Sequence, residues 1–289
     1  MIHIDLIVAV RNEQDTIIQF IKEVEKINIP DIDISILFIE DGSTDNTVEL
    51  LDKLTKDKKK ISYYSLKNPY RQGVALSFGL SKSTADACIS LDVDGSHSIE
   101  TLKEMIYLYL SGTDVVQAHR VSYKRKSFYR RIGSWLYLYF FSLFTGINLL
   151  KQNVHFRLLS NKATKVFLKK NHLLYSFRTK FKKLHNLNIA YVNFSAPERI
   201  IGESKFNFRY LVKAAFHSFL TLISYSVLFG ILLFIISLSL ILSYFINYII
   251  FILSIVLCFI IFFRYKKLNS IDYLSQIEVL KTSEKGSLH

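Results

Sequence analysis

The chain has 289 residues, more than one ordinary domain needs, and its 37 Lys and Arg against 24 Asp and Glu give a formal net charge of +13. Two cysteines, Cys88 and Cys258, lie far apart inside apolar runs, which excludes a disulfide or cysteine-metal role and reads both as small buried hydrophobes. The basic excess calls for an anionic partner, and phospholipid, a lipid phosphate and nucleic acid all satisfy it.

In chain order, the first 118 residues alternate between two periods. "IHIDLIVAV" (2–10) reads as a strand, "EQDTIIQFIKEVEKI" (13–27) as a helix and "DISILFIE" (33–40) as a strand. "TDNTVELLDKLTK" (44–56) is a helix with Ser43 or Thr44 as N-cap. Then come strand 61–66, helix 73–83, strand 86–92, helix 98–110 and strand 114–119. This alternation specifies an α/β domain with a mostly parallel sheet flanked by helices. In such sheets ligands bind at the carboxyl ends of the strands.

Past residue 120 the pattern changes. No acidic residue occurs between Asp114 and Glu198, while Lys and Arg recur. The segment 127–150 is apolar with basic flanks and contains Gly133, Ser134, Ser142, Thr145, Gly146 and Asn148. It reads as helices in a membrane interface, with Trp135, Tyr137 and Tyr139 at headgroup level; the alternative is a further crossing. Strand 155–160, helix 161–170 and strand 188–196 follow, and a loop, "PERIIGESKFNF" (197–208), leads onward.

From Phe219 to Phe263 there is no charged residue. A crossing takes roughly 20 apolar residues, so two fit, with Asn247 at the turn; the alternative is a buried core hairpin. Lys205, Arg209 and Lys213 precede the run, and Arg264, Lys266 and Lys267 follow it. Basic flanks stay in the cytoplasm. The expectation is a multi-pass protein of the inner (plasma) membrane. Residues 1–210 form its cytoplasmic domain, 211–264 a juxtamembrane helix with two transmembrane helices, and 265–289 a cytoplasmic tail lying in water. No signal peptide is expected from "MIHIDLIVAVRNEQ".

Polar clusters fall at the strand ends: "RNE" (11–13), "EDGSTDNT" (40–47) and "DVDGSH" (92–97). Two carboxylates one residue apart, Asp92 and Asp94, repel unless a cation sits between them. Placed after a buried strand, such a pair holds a divalent ion that bridges a diphosphate, although aspartates also crowd loop starts for turn-forming reasons. Glu40 and Asp41 offer acceptors to the N–H and hydroxyl groups of a nucleoside, or simply turn the chain with Gly42. Asn12 and Glu13 read equally as an ordinary helix start.

The motifs "VAVRNEQDT", "EDGSTDNT", "GVALSFGL", "LDVDGSH", "HFRLLS" and "GESKF" occur in the order found in family 2 glycosyltransferases of the GT-A fold. Within that family the chain most resembles the polyisoprenyl-phosphate glycosyltransferases, the dolichyl-phosphate mannose synthase-like group, over residues 1 to about 225, and the C-terminal hairpin resembles members with two crossings. The resemblance implies that Asp41 meets the nucleotide base, with Asn12, Glu13 and the backbone near Ala9 at the ribose. Asp92 and Asp94 would hold Mg2+ or Mn2+ and the donor diphosphate, with Asp94, Arg157 and Arg120 catalytic. Arg120, Arg157, Arg199, Ser204 and Lys205 would gather the lipid phosphate and donor phosphates. Arg130 and Arg131 would lie near the membrane surface. Departures from the family pattern are Arg11 before Asn12, Glu40 in place of an aspartate, Arg71 where a glycine is common, and Asn153 and His155 before Arg157 where an acidic residue often stands.

The function so implied is inverting transfer of a sugar from a nucleotide-diphospho-sugar, a UDP-sugar by preference, to polyprenyl phosphate, making a lipid-linked sugar for the cell envelope. Partners are the donor, the acceptor and membrane lipid. Nucleic acid is excluded because it leaves the apolar hairpin unexplained, and a homo-oligomer is compatible. Two alternatives are a transferase of the same fold using a hydroxyl acceptor, for which Glu198 and Glu203 are the candidate bases, and an inactive scaffold binding lipid phosphate.

Overall fold

A computed structural model of the chain describes residues 1–70, 72–95, 97–120, 139, 143, 155–168, 187–194, 225–245, 248–270 and 277–283. β1 (Ile2–Val10), β2 (Ile32–Glu40), β3 (Ile61–Leu66), β4 (Ala87–Leu91), β5 (Val115–Arg120), β6 (Arg157–Ser160), β7 (Ile189–Phe194) and β8 (Val279–Thr282) form one sheet in the order β7-β5-β6-β4-β1-β2-β3-β8. β1 runs parallel to β2 and β4, β2 to β3, and β5 to β7, while β6 and β8 are antiparallel to their neighbours. The mostly parallel α/β sheet is therefore as expected.

Successive residues Leu6, Ile7 and Val8 of β1 are all fully buried, as a parallel strand covered on both faces must be. One face packs Ile4, Leu6 and Val8 against α1 (Ile17–Val24), α2 (Thr47–Asp57) and α4 (Ile99–Leu110) through Phe20, Leu51 and Met105. The other packs Ile7 and Ile39 against α3 (Gln72–Lys82) and α5 (Asn161–Leu168) through Leu76, Phe78 and Phe167. Gly79 lets α3 approach this closely, since a Cβ there would lie 2.5 Å from Ile7 Cγ2 and 2.9 Å from Ile39 Cγ1. Gly79→Ala should cost about 1–3 kcal/mol by overpacking, more than the roughly 1 kcal/mol gained in helix propensity. A lowered urea midpoint with an unchanged slope checks this.

α2 starts at Thr47, with Asn46 as N-cap, three residues later than the sequence suggests. The intervening backbone is held by other side chains: Thr44 N donates to Asn12 Oδ1 (2.8 Å) and Asn46 N to Gln14 Oε1 (3.0 Å). Cys88 and Cys258 are free and buried, and burial pushes the Cys88 thiol up to about 12.

Within the tail, exposed β8 pairs with β3 and covers what would otherwise be a sheet edge. Lys281 and the Tyr63 hydroxyl both donate to Asp52. Burial opposes ionisation of Asp52, and these two donors outweigh it, holding the carboxyl below its ordinary range. A depressed carboxylate contributes stability above its unfolded-state pKa, about 3.9, and that stability is lost as pH falls through the lower folded value. Asp52→Asn should therefore flatten the acid limb of a melting-temperature–pH curve and lower its neutral plateau.

α6 (Tyr225–Phe245) and α7 (Tyr248–Ser270) form an antiparallel pair, packed through Leu228, Leu232 and Cys258 and joined by a Ser239–Ser254 hydroxyl contact of 2.7 Å. The crossings expected of them are overturned: among the described residues no helix is long and apolar enough to cross a membrane. The multi-pass inner-membrane placement with a cytoplasmic domain falls with the crossings. Of the expected interfacial helices at 127–150, Tyr139 and Leu143 are helical and exposed; the rest lies outside the described residues.

Candidate active site

Sheet order and register bring the strand ends to one rim. Val10 pairs with Glu40, Val8 with Leu91, and Ser90 with Arg157, which also pairs with Gln117 of β5. Glu40–Asp41, Arg11–Glu13, Asp92–Asp94, Arg157 and Arg120 thus follow one another along the rim.

On the β1–β2 side the loops are stitched together. Asn12, with φ of 55°, adopts the left-handed conformation that asparagine tolerates. Its N–H donates to Ser43 Oγ (3.0 Å), and its Oδ1 accepts from Thr44 N. Glu13 N donates to Thr47 Oγ1 (3.0 Å), and Glu13 Oε2 accepts from Thr16 Oγ1 (2.7 Å). Ala9 lies in β1 opposite Ile39. The two acidic residues ending β2 part company. Buried Glu40 turns Oε1 to Ser43 N and Oε2 to Ser65 Oγ, the latter at 2.6 Å. Both of its carboxylate oxygens are thus engaged in closing the turn. Asp41, also buried, accepts at Oδ1 from Tyr70 N (2.6 Å) and donates its own N–H to Val10 O (3.0 Å). Gly42 has φ of +72°, and a Cβ there would lie 3.2 Å from Pro69. Both facts reserve the position for glycine.

At the end of β4, Val93 is buried in the core between half-buried Asp92 and Asp94. Gly95, at φ of 70°, reverses the chain behind them. Gln72 Nε2 donates to Asp92 Oδ1, and His97 Nε2 lies 3.6 Å from Asp92 Oδ2. Burial opposes ionisation of Asp92, but the His97 imidazole, then His155 and the Gln72 amide, outweigh it and hold the carboxyl below its ordinary range. The His97 ring sits against Phe156 and Phe194, at centroid distances of 4.3 and 5.6 Å. Both its ring nitrogens are buried without a hydrogen-bond partner among the described residues. Arg157 is the largest fully buried side chain among the described residues. The preceding His155 anchors the strand end by accepting Ser90 Oγ at its carbonyl (2.6 Å).

The rim thus unites Ala9, Asn12, Glu13, Asp41, Asp92, Asp94 and Arg157. Arg120 ends β5, but its side chain is outside the described residues, as are Arg199, Ser204, Lys205, Arg130 and Arg131. Sequence reasoning missed Gln72, Tyr70 and His97. Only His97 left a signal, as the terminal residue of "DVDGSH".

Residues 5–172 match the family model described as glycosyl transferase family 2. Over 213 residues the chain is 30% identical to the prophage bactoprenol glucosyl transferase homolog of Escherichia coli (strain K12), covering 71% of this chain and 67% of that one. It is 29% identical to the bactoprenol glucosyl transferase of Shigella phage SfX over 71% and 67% of the two chains. A further stretch of similarity, 33% identical, joins it to CsbB of Bacillus subtilis (strain 168), where it spans only 41% of the relative and 47% of this chain. Among solved structures, glucosyl-3-phosphoglycerate synthase from Mycobacterium tuberculosis, in complex with Mn2+, UDP and phosphoglyceric acid, superposes with a TM-score of 0.54 at 17% identity over 76% of this chain and 77% of that one. Mannosyl-3-phosphoglycerate synthase from Rubrobacter xylanophilus gives 0.54 at 16% identity over 74% and 71%. These structures establish the GT-A-like fold, and the family match over more than half of the length makes this chain a member of glycosyl transferase family 2, a glycosyltransferase by family.

Proposed function

We propose that the chain transfers a sugar from a nucleotide-diphospho-sugar, a UDP-sugar by preference, to a polyprenyl phosphate. The observation that carries the reading is the rim itself. It sets a carboxylate after β2, Asp41, a carboxylate pair after β4, Asp92 and Asp94, and a buried guanidinium at the start of β6, Arg157, along one rim of the sheet. The bactoprenol glucosyl transferase names of the relatives support a polyprenyl acceptor, and the Mn2+ and UDP in the structural neighbour support the donor class and a divalent cation. Exposed apolar side chains on α6 and α7, among them Phe229, Phe234 and Phe259, are chemically suited to an isoprenoid chain.

Among the described residues no group of three or more His, Cys, Asp or Glu is arranged to hold a metal. Two hard carboxylates nevertheless fit Mg2+ or Mn2+, because such ions are commonly held by one or two carboxylates and completed by substrate phosphates and water. Asp92 and Asp94 would hold it. When bound, the cation supplies charge neutralisation to the leaving diphosphate.

The residues of the chain carry the rest. Asp41, oriented by Tyr70 N–H, receives the nucleoside. Gln72 holds Asp92 in place by a hydrogen bond, with the His97 ring beside it. Arg157, with Arg120 and the basic segment beyond it, offsets repulsion between the lipid phosphate and the donor. A phosphate monoester with a second pKa of about 6 arrives largely ionised, so the acceptor needs no general base from the chain. Its oxygen forms a bond to the sugar C1 as the bond from C1 to the diphosphate breaks. One displacement of this kind inverts the anomeric centre.

The test presents purified full-length protein with undecaprenyl phosphate in detergent and a panel of labelled UDP- and GDP-sugars. A labelled glycolipid from a UDP-sugar is the expected product. Labelling only of a hydroxyl-bearing acceptor would refute the acceptor class.

A further inference from the structure

The loop after β3 is held from two sides. Tyr70 gives its N–H to Asp41, and its hydroxyl accepts from Glu278 N at 3.3 Å. Tyr70 and Ile277 both pack against the core cluster under α3, and Lys67 N donates to Glu278 O (2.9 Å). Pro69 in the same loop backs the Gly42 turn. β8 itself is fastened to β3 through Leu66↔Val279, Ser65↔Lys281 and Tyr64↔Thr282. Beyond it, buried Ser283 donates its N–H to Tyr63 O (3.1 Å) and accepts Tyr63 N at Oγ (3.1 Å). The C-terminal strand therefore reaches, through one tyrosine, a carboxylate more than 200 residues earlier in the chain.

We infer that Tyr70 is a positioning residue for Asp41 and that the C-terminal strand, by fixing Tyr70, sets the affinity of the nucleotide half of the site. The inference rests on the reading that Asp41 meets the nucleoside. Two features favour a relay over a simple edge cap. Tyr70 spans the gap with two different groups, its hydroxyl toward the strand and its backbone N–H toward the carboxylate. The rigid turn at Gly42 leaves Asp41 little room to follow a shifted loop, so moving Tyr70 breaks the 2.6 Å bond.

The experiment is calorimetric titration of the full chain with UDP in the presence of Mn2+, well below the melting temperature. Tyr70→Phe keeps the ring and backbone and removes the acceptor of Glu278 N. Ser283→Pro removes both of that residue's bonds to Tyr63. Each should raise the Kd for UDP about 3–10-fold, the effect of roughly one net hydrogen bond. The double variant should be no worse than the more severe single one, as members of one chain of contacts are non-additive. Asp41→Asn serves as the reference and should weaken UDP binding at least as much. If Asp41→Asn weakens binding while Tyr70→Phe and Ser283→Pro leave Kd unchanged, even with a lowered melting temperature, the strand only caps the sheet and the inference is overturned. An unchanged Kd in Asp41→Asn removes the nucleotide reading, and the inference with it.

Discussion

Asp94→Asn should reduce sugar transfer by about 10²–10³-fold or more, the scale seen when one preorganised electrostatic partner is removed from a transition state. The side chain keeps its shape and loses its charge. A single carboxylate would remain to hold the cation against a diphosphate that gains charge as it leaves. Asp94 is the cleaner of the two positions to test. Asp92 also accepts from Gln72 and faces His97, so Asp92→Asn disturbs the packing around Phe156 and Phe194 as well. The prediction for Asp94→Asn is weakened Mn2+ binding by electron paramagnetic resonance alongside the lost transfer. Full transfer activity would contradict the assignment.

Arg157→Ala should impair the protein in two separable ways. The side chain is fully buried, and truncating a large buried side chain costs roughly 2–5 kcal/mol. Its charge is shielded from water, so it is screened less than a surface lysine's and acts over a longer distance. Arg157→Lys separates the two effects. It retains the cation and most of the volume and loses the planar fork. The expected result is a smaller loss of melting temperature with a KM for polyprenyl phosphate raised about 10-fold, equivalent to about 1.4 kcal/mol. A lysine variant with the parent's KM would make Arg157 a structural cation only.

Much of the sheet was legible because its strands bury both faces. A run such as "LIVAV" has no polar alternation to confuse with a surface helix, and the strand–helix spacing then dictates parallel pairing. The rim followed from the same logic, since polar clusters after buried strands must gather where parallel strands end. What stayed hidden was non-local. "VLKT" is a four-residue edge strand whose partner lies some 215 positions earlier, and nothing in its composition distinguishes it from a solvated tail. Glu40 and Asp41 are chemically equivalent in the sequence; only the positions of Ser43 and Ser65 decide that the first closes on the turn. Arg157 was legible as a phosphate-gathering cation through the family resemblance, but its full burial was not, because arginine is mostly an exposed residue. The apolar stretch after residue 219 was legible as a pair of helices, whereas the crossings read from it find no support among the described residues.

The most direct measurement is the rate of glycolipid formation by purified full-length protein from a UDP-sugar and undecaprenyl phosphate, with Mn2+ and with excess chelator, and with undecaprenol in place of its phosphate. The prediction is turnover that requires the cation and the phosphorylated acceptor together. Undiminished turnover in chelator, or preference for the uncharged alcohol, would contradict it.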